Sequence, residues 1–300
     1  MATAHNSIRA VVLLLVEKVL HPGERVVATL RRPEHLADLA SKYPSTQLLV
    51  VELDVVKTEH IERAFEQTKK HFGRLDIVVN NAGYGLFAEI EVAPEEETRK
   101  QIEVLFWGPV HIIKRAIPFM RDINPSGQGG HILNISSSGG HQAHPGIAFY
   151  NAGKFALEGL TESLSKEMLP EWNIIKATIV EPGGFRTSWG HSSLVKVRTL
   201  PAYEQPHAPF NVLRNMLGHD SFLLADPKKA ADAMFSIAGR KDLPLRIQLG
   251  TDAHMMVVAE AEKTIKNAKT AEWEALAHST NFDGVDTAKI VEQLTAALKA

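Results

Sequence analysis

Apolar runs rich in β-branched residues alternate with longer amphipathic stretches along most of this 300-residue chain. The apolar runs predict strands at Arg25–Leu30, Gln47–Asp54, Leu75–Asn80, His131–Ser136 and Ile174–Val180, with an edge strand at Leu245–Leu249. The stretches between them predict helices over 33–42, 58–71, 95–122 and 150–169, and Pro109 predicts a kink in the third. Helices of this length can join parallel strands. The pattern therefore predicts an α/β fold, a doubly wound parallel sheet with helices on both faces.

The N-terminal run AVVLLLV at Ala10–Val16 is too short to span a bilayer, and no small-residue cleavage pattern follows it. A buried strand or helix is expected there. In one interpretation, a strand at Ala10–Leu14 joins a helix directly. In the other, Ser7 caps a helix over Ile8–Leu20 and no first strand exists. Both interpretations truncate the first βα unit.

Residues 1–250 are predicted to form one domain, and 251–300 a C-terminal helical extension with helices over 252–278 and 286–299. Within the domain, the segment 188–225 contains prolines at 201, 206 and 209 among His, Tyr and Phe residues. We interpret it as a substrate lid, the alternative being an irregular connection. Asp226 and Pro227 are typical of a helix N-cap and first turn, and this helix is predicted to reach Ala238.

Charge and cysteine content narrow the possible functions. The chain has 33 Lys and Arg residues against 35 Asp and Glu residues, which gives no bulk attraction to nucleic acid or to an anionic membrane surface. It has no cysteine, which excludes disulfides and thiol catalysis. We therefore expect a small-molecule ligand, no nucleic-acid or membrane partner, and a cytoplasmic location.

Tyr150 and Lys154 lie four residues apart in YNAGK, thirteen residues after Ser137 in NISSSGG. On a helix this spacing puts the phenol and the ammonium on one face. A nearby cation favours the phenolate and is expected to lower the phenol pKa from about 10. The hydroxyl of Ser137 could hold a substrate oxygen. The trio therefore predicts a proton-transfer site.

Other polar and glycine-rich runs follow the predicted strands. Because ligands of open parallel sheets bind beyond the carboxyl ends of the strands, these runs are expected to share one rim. They are Asp54, then Asn80, Asn81, Ala82 and Gly83, then Ser136–Gly140, and last Pro182, Gly183 and Gly184.

These residues resemble the short-chain dehydrogenase/reductase family over most of residues 25 to 190. NNAG at Asn80–Gly83, NISS with Ser137, the YxxxK pair and PGGFRT occur in the family's order. The resemblance implies a Rossmann-like fold and a nicotinamide cofactor, with Ser137, Tyr150 and Lys154 as catalytic residues. It also implies cofactor contacts from Asp54 to the adenine, from Lys154 to the nicotinamide ribose, from Thr187 to the nicotinamide amide, and from Asn80, Asn81, Ala82, Gly83, Tyr150, Pro182 and Gly183.

Cofactor choice can be argued from Arg31 and Arg32, which follow the strand RVVATL directly. Related folds place there either an acid for a ribose hydroxyl or an arginine for a 2′-phosphate. No acid ends this strand, and arginine suits phosphate. NADP(H) is therefore preferred over NAD(H), the alternative being that both arginines form a solvated turn.

The chain departs from the family pattern in its first unit. The family's TGxxxGxG turn places pyrophosphate against backbone N–H groups at a helix N-terminus, yet no glycine precedes Gly23 here. Leu105 stands where the family has an asparagine that helps to hold a water, and Gly153 where it commonly has serine.

Two functions are therefore predicted: an NADP(H)-dependent oxidoreductase acting on a carbonyl or alcohol, or a cofactor-binding-deficient relative acting as a binding or scaffold protein. The second would be a splice variant, a faulty gene model or a pseudoenzyme.

His141 and His144 are expected to line the pocket without a metal, since no further ligands have suitable spacing. The apolar residues of the lid predict a hydrophobic ketone or alcohol as substrate. By resemblance, a homodimer or homotetramer would pair through the helix carrying Phe106 and Trp107 and the helix carrying Tyr150, although a core position is the alternative for both aromatic residues.

Overall fold

The computed structural model describes residues 8–168, 175–187, 193–217, 219, 223–240 and 242–299. Its strands are β1 Val26–Leu30, β2 Leu48–Glu52, β3 Ile77–Asn80, β4 Gly85–Phe87, β5 Gly130–Ile135, β6 Ile175–Pro182, β7 Leu194–Lys196 and β8 Arg246–Leu249. Its α-helices are α1 Ile8–Leu20, α2 Ala37–Ala40, α3 Thr58–Phe72, α4 Glu95–Ile102, α5 Gly108–Asp122, α6 Ala148–Glu167, α7 Pro209–Leu217, α8 Pro227–Ala238, α9 Thr251–Ala268, α10 Ala271–Ser279 and α11 Thr287–Lys299.

The central sheet has the strand order β3-β5-β6-β8, and all of its pairs are parallel. In its register Asn80 lies beside Asn134, and Ile135 beside Val180. Strands β1 and β2 form a second parallel pair, and β4 and β7 a third. The parallel α/β prediction is therefore confirmed.

Alternate residues of β5 face opposite layers of helices, as the period of two in a strand requires. On one face, Ile132 packs with Ile113 of α5 and Leu164 of α6. On the other, Ile135 packs with Met234 of α8, and Leu15 of α1 lies against the same cluster. The sheet is thus doubly wound.

The chain begins with a helix rather than a strand in the part that the structure describes, and Ser7, the predicted cap, lies outside it. Val16 and Leu20 of α1 pack against Ala28 of β1 and Leu48 of β2. Among the described strands, β1 pairs only with β2, and β3 only with β5. The structure therefore matches the second interpretation of the N-terminal run, in which no strand precedes β1.

Several element boundaries differ from the sequence prediction. The first predicted helix is a 3-10 turn at Pro33–Leu36 followed by the short α2. The helix predicted over 95–122 contains a π-helical turn at Glu103–Trp107, and Pro109 lies in the first turn of α5. The irregularity expected at Pro109 is therefore found just before it. A break near Thr270 divides the region 252–278 into α9 and α10.

Contacts divide the chain into two compact units, residues 1–256 and 257–300. The second unit is helical and carries exposed apolar side chains, such as those of Trp273 and Leu294. No helix in the described ranges combines the length and the apolar character needed to cross a bilayer.

Candidate active site

The structure brings together the three residues of the predicted proton-transfer site. Ser137 follows the carboxyl end of β5, and Tyr150 and Lys154 lie on one face of α6. The side chains of Ser137 and Tyr150 are hydrogen bonded. The Lys154 Nζ lies 5.8 Å from the centre of the Tyr150 ring. A substrate oxygen at this point can therefore contact two hydroxyl groups near one ammonium.

Lys154 is held in place by the strand beside it. Its side chain is buried, and Nζ donates a 2.6 Å hydrogen bond to the backbone carbonyl of Ile135. Gly83 of the NNAG run lies close by, because a Cβ built there would be 3.9 Å from this Nζ. The same Cβ would lie 3.0 Å from Cδ2 of Leu105, a fully buried residue of the π-helical turn. Lys154 thus joins α6, β5 and the NNAG run.

Burial dominates the ionisation of the site. It raises the pKa of Tyr150 above 10.0, and the hydrogen bond with Ser137 acts in the opposite direction. Burial also lowers the pKa of Lys154 to about 8, while Glu158 opposes that shift. The sequence led us to expect a phenol pKa lowered by lysine. The pKa is raised instead, because burial penalises the phenolate.

Sequence reasoning missed an ionic network on the next turn of α6. Glu158 Oε1 accepts a 2.6 Å hydrogen bond from Ser136, the residue before Ser137. Glu158 Oε2 lies 3.1 Å from Nε of Arg246 on β8, whose Nη2 donates to Glu162. Glu181, fully buried at the end of β6, accepts a hydrogen bond from Gln248. The signal was available in part, since Glu158 lies four residues after Lys154 and therefore on the same helix face.

Ligand atoms of His141, Glu158 and Glu181 lie within 4.8 Å of one another, an arrangement also found at metal centres. Here Arg246 already supplies the positive charge, with Nε 3.1 Å from Glu158 and 3.7 Å from Glu181. His144 is separate from this group, and burial lowers its pKa. We therefore interpret the cluster as an ion-pair network.

Replacing Glu158 with Gln is expected to change how stability depends on pH. Burial raises the pKa of Glu158 from 4.5 to about 7. A raised carboxyl pKa contributes stability below about pH 4.5, and that stability is lost as the pH rises to about 7. Between about pH 5 and pH 8, wild type should lose on the order of 2 kcal/mol more of its free energy of unfolding than Glu158→Gln does.

Urea unfolding at both pH values measures this difference. Glu66→Gln, an exposed position on α3, is the matched control and should follow wild type. Equal pH dependence in Glu158→Gln and wild type would contradict the assignment.

The predicted cofactor residues lie at the carboxyl ends of β1, β2, β3 and β6. Arg31 and Arg32 are exposed after β1, and Arg31 is close enough to Tyr84 for its charge to act on the pKa of that phenol. Asp54 follows β2, where its Oδ1 accepts a 3.4 Å hydrogen bond from the N–H of Val56. The residues that follow β1 are therefore close to the residue that follows the NNAG run.

The NNAG run is anchored to the sheet by its first residue. Asn80 Nδ2 donates to Asn134 on β5, and Asn134 in turn donates to Thr161 on α6. Asn80 is buried, whereas Asn81 and Gly83 are half-buried and Ala82 is exposed. The three residues after Asn80 are therefore accessible at the rim.

Asp252, in the first turn of α9, holds the glycine loop after β6. The N–H of Gly184 donates to Asp252 Oδ2 at 2.6 Å, and a Cβ on Gly183 would overlap the same carboxylate. Pro182 ends β6, and the N–H of Thr187 donates to the carbonyl of Phe185 at 2.7 Å. Sequence reasoning missed Asp252, since it lies 68 positions from Gly184.

The site fits one half of a nicotinamide dinucleotide better than the other. The accessible Asn81–Gly83 run passes beside Lys154, and Gly183 and Thr187 follow the neighbouring strand, which suits a ribose and a carboxamide. For the pyrophosphate, the sequence has no glycine before Gly23. The described residues therefore fit the catalytic half of the cofactor, and the residues before Gly23 provide no glycine turn for the phosphates.

Comparison with known proteins decides the family. The family model for short chain dehydrogenase matches residues 11–196. An uncharacterized oxidoreductase of Schizosaccharomyces pombe is 41% identical over 239 residues, covering 80% of this chain and 78% of the relative.

The chain belongs to the short-chain dehydrogenase family. A short-chain dehydrogenase from Streptomyces avermitilis has a similar structure, with a TM-score of 0.79 and 32% identity, over 90% of this chain and 95% of that one. A family structure from Burkholderia cenocepacia, solved in complex with NADP, has a TM-score of 0.63 and 21% identity, over 89% and 93% of the two chains. This short-chain dehydrogenase is therefore an oxidoreductase by family.

Proposed function

We propose that this short-chain dehydrogenase interconverts a carbonyl and an alcohol with NADP(H), and that Tyr150 is the proton donor and acceptor. The observation that carries the proposal is the hydrogen-bonded pair of Ser137 and Tyr150 beside the buried Lys154. When bound, the nicotinamide supplies or accepts the hydride. The protein side chains then transfer the proton and orient the substrate oxygen.

In the direction of reduction, Tyr150 donates its proton to the substrate oxygen. The raised pKa of Tyr150 keeps the phenol protonated near neutral pH, so it is ready to act as an acid. Ser137 donates a hydrogen bond to the oxygen as negative charge develops there. Lys154, held at the Ile135 carbonyl, stabilises the phenolate that is left. In oxidation, the same phenolate would take the proton of the alcohol.

The residues proposed to hold the cofactor lie along the rim already described. Lys154, Asn81–Gly83, Pro182, Gly183 and Thr187 would hold the nicotinamide and its ribose, and Asp54 the adenine. Arg31 and Arg32 would bind the 2′-phosphate, because a guanidinium forms charge-assisted hydrogen bonds with phosphate. The complex of the Burkholderia cenocepacia enzyme with NADP supports this choice of cofactor.

Replacing both Arg31 and Arg32 with Ala is expected to weaken NADPH binding at least tenfold and to leave NADH binding nearly unchanged. Charge-assisted hydrogen bonds contribute roughly 1.5 to 3 kcal/mol, and NADH lacks the phosphate that would accept them. Calorimetric titration with each cofactor measures the effect. Arg63→Ala, at an exposed position on α3, is the matched control. An equal loss for both cofactors would show that these arginines do not select the 2′-phosphate.

A second candidate is a relative that retains the catalytic side chains without binding the cofactor, and acts as a binding or scaffold protein. The observations that favour it are the lack of any glycine before Gly23 and, among the described strands, the lack of pairing between β1 and β3. The two candidates differ in one measurable property, which is saturable binding of NADPH to the folded chain.

We also propose a hydrophobic ketone or alcohol as substrate, because the described part of the 188–225 segment packs Phe210 against Phe87 near Tyr150. We also propose a homodimer or homotetramer. Trp107, in the π-helical turn before α5, and Phe155, on α6, support it, since each is 44% exposed and the family pairs through these two helices. A cytoplasmic location is the default proposal, since a chain without cysteine is compatible with a reducing compartment.

A further inference from the structure

The guanidinium of Arg214 lies against two aromatic rings beside the candidate active site. Its Cζ is 4.7 Å from the centre of the Phe210 ring and 5.2 Å from that of Phe87. The two rings are themselves 4.6 Å apart and tilted by 53°. Both phenylalanines are buried. The rings therefore fix the position of the guanidinium and shield its faces from water.

Two hydrogen-bond donors of Arg214, Nε and Nη2, are buried and have no acceptor among the residues that the structure describes. These two nitrogens form one edge of the guanidinium. Arg121 uses the same edge in this protein, donating from Nε and Nη2 to the two carboxylate oxygens of Asp122 at 2.7 and 2.8 Å. A buried charged donor without an acceptor is more destabilising than a neutral one. The free edge of Arg214 thus has the geometry of a carboxylate site.

This edge belongs to the surroundings of Tyr150. Phe87 and Phe210 form a buried cluster with Ile147 and Leu194, and the ring of Tyr150 packs against that cluster. Arg214 and Tyr150 therefore contact the same group of apolar side chains. A substrate whose carbonyl reaches Tyr150 could place its carbon frame on these rings and a second polar group at Arg214.

We propose that Arg214 binds the carboxylate of the substrate, so that the substrates are oxo acids with an apolar carbon frame and the corresponding hydroxy acids. This inference rests on the proposed function of Tyr150 for its carbonyl end. In reduction the carbonyl carbon gains the hydride and the oxygen gains the Tyr150 proton. The carboxylate stays unchanged and fixes which carbonyl is presented.

Glu89 is one internal carboxylate that could compete for this edge. It is 3% exposed, and neither of its carboxylate oxygens has a hydrogen-bond partner among the described residues. It lies two residues after Phe87. In the described residues it forms no ion pair with Arg214. The test must therefore separate a substrate carboxylate from a Glu89 carboxylate.

The experiment uses straight-chain methyl-ketone carboxylates of increasing length, each paired with its methyl ester. With saturating NADPH, we expect kcat/KM for at least one acid to exceed that of its ester about tenfold, chiefly through KM. Arg214→Met should abolish this preference, and Arg214→Lys should keep part of it, since lysine keeps the charge without the paired donors. Arg198→Met, at an exposed position of the same 188–225 segment, is the control and should keep the preference.

Thermal stabilisation of the cofactor-free protein by the same acids and esters separates the two proposals. An acid that raises the Tm of wild type but not of Arg214→Met supports the carboxylate site even without turnover. Acids and esters with equal effects on both wild-type turnover and Tm would overturn it. Non-additive Tm changes in Arg214→Met, Glu89→Gln and the double variant would show an internal ion pair and would also overturn it.

Discussion

Replacing Tyr150 with Phe should reduce carbonyl turnover about a thousandfold while leaving the protein folded. The variant keeps the ring that packs against Phe87 and Phe210, so the apolar contacts remain. It removes the hydroxyl that is hydrogen bonded to Ser137, and thus the proton donor. A positioned acid or base contributes roughly a hundredfold to ten-thousandfold to a rate. NADPH-dependent reduction of the preferred carbonyl compound, at saturating NADPH, measures the loss.

Tyr43→Phe is the matched control for this substitution. Tyr43 packs against the cluster around Leu39 and Leu48, which contains none of the catalytic residues. Loss of the Tyr43 hydroxyl should leave turnover near that of wild type. If Tyr150→Phe retained turnover within tenfold of wild type, another group would have to deliver the proton, and the proposed role of Tyr150 would be wrong.

The second large effect should come from adding a phosphate cradle. Replacing the residues before Leu15 with a strand and a TGxxxGxG turn of the family pattern is expected to tighten NADPH binding at least a hundredfold. The turn would supply backbone N–H groups at the N-terminus of α1, where an anion is favoured. The new strand could also pair with β1 and β3, which do not pair with each other, and so raise the Tm.

The control for this variant is an insert of the same length in which the turn glycines are replaced with alanine. It should raise the Tm in part without tightening NADPH binding, because the close approach of the backbone to the phosphates requires glycine. Unchanged NADPH affinity in the glycine-containing variant would mean that the chain already binds the pyrophosphate through other groups.

Most strands could be predicted from the sequence because each is a compact apolar run, and the structure places all six predicted strands within two residues of the predicted bounds. β4 and β7 could not be predicted, since each has three residues and their pairing joins Gly85 to the distant Leu194. The long third helix was predicted as one helix kinked at Pro109, and the π-helical turn at Glu103–Trp107 was not predicted.

In the candidate site, too, the features set by local spacing could be predicted, and those set by distant residues could not. Ser137, Tyr150 and Lys154 could be found from local spacing, because a single strand end and a single helix carry them. The ion pair of Glu158 with Arg246 could not, since 88 positions separate the partners. The raised pKa of Tyr150 could not be predicted from the sequence either, because burial depends on packing that residue spacing does not determine.

A calorimetric titration of the whole purified chain with NADPH, with NADH in parallel, tests whether this chain is an NADP(H)-dependent oxidoreductase. We expect saturable binding of one NADPH per chain. This binding should be at least tenfold tighter than that of NADH and should be weakened by Arg31→Ala/Arg32→Ala. A folded protein that shows no saturable binding at millimolar NADPH would contradict it, and would leave Ser137, Tyr150 and Lys154 without a cofactor to act beside.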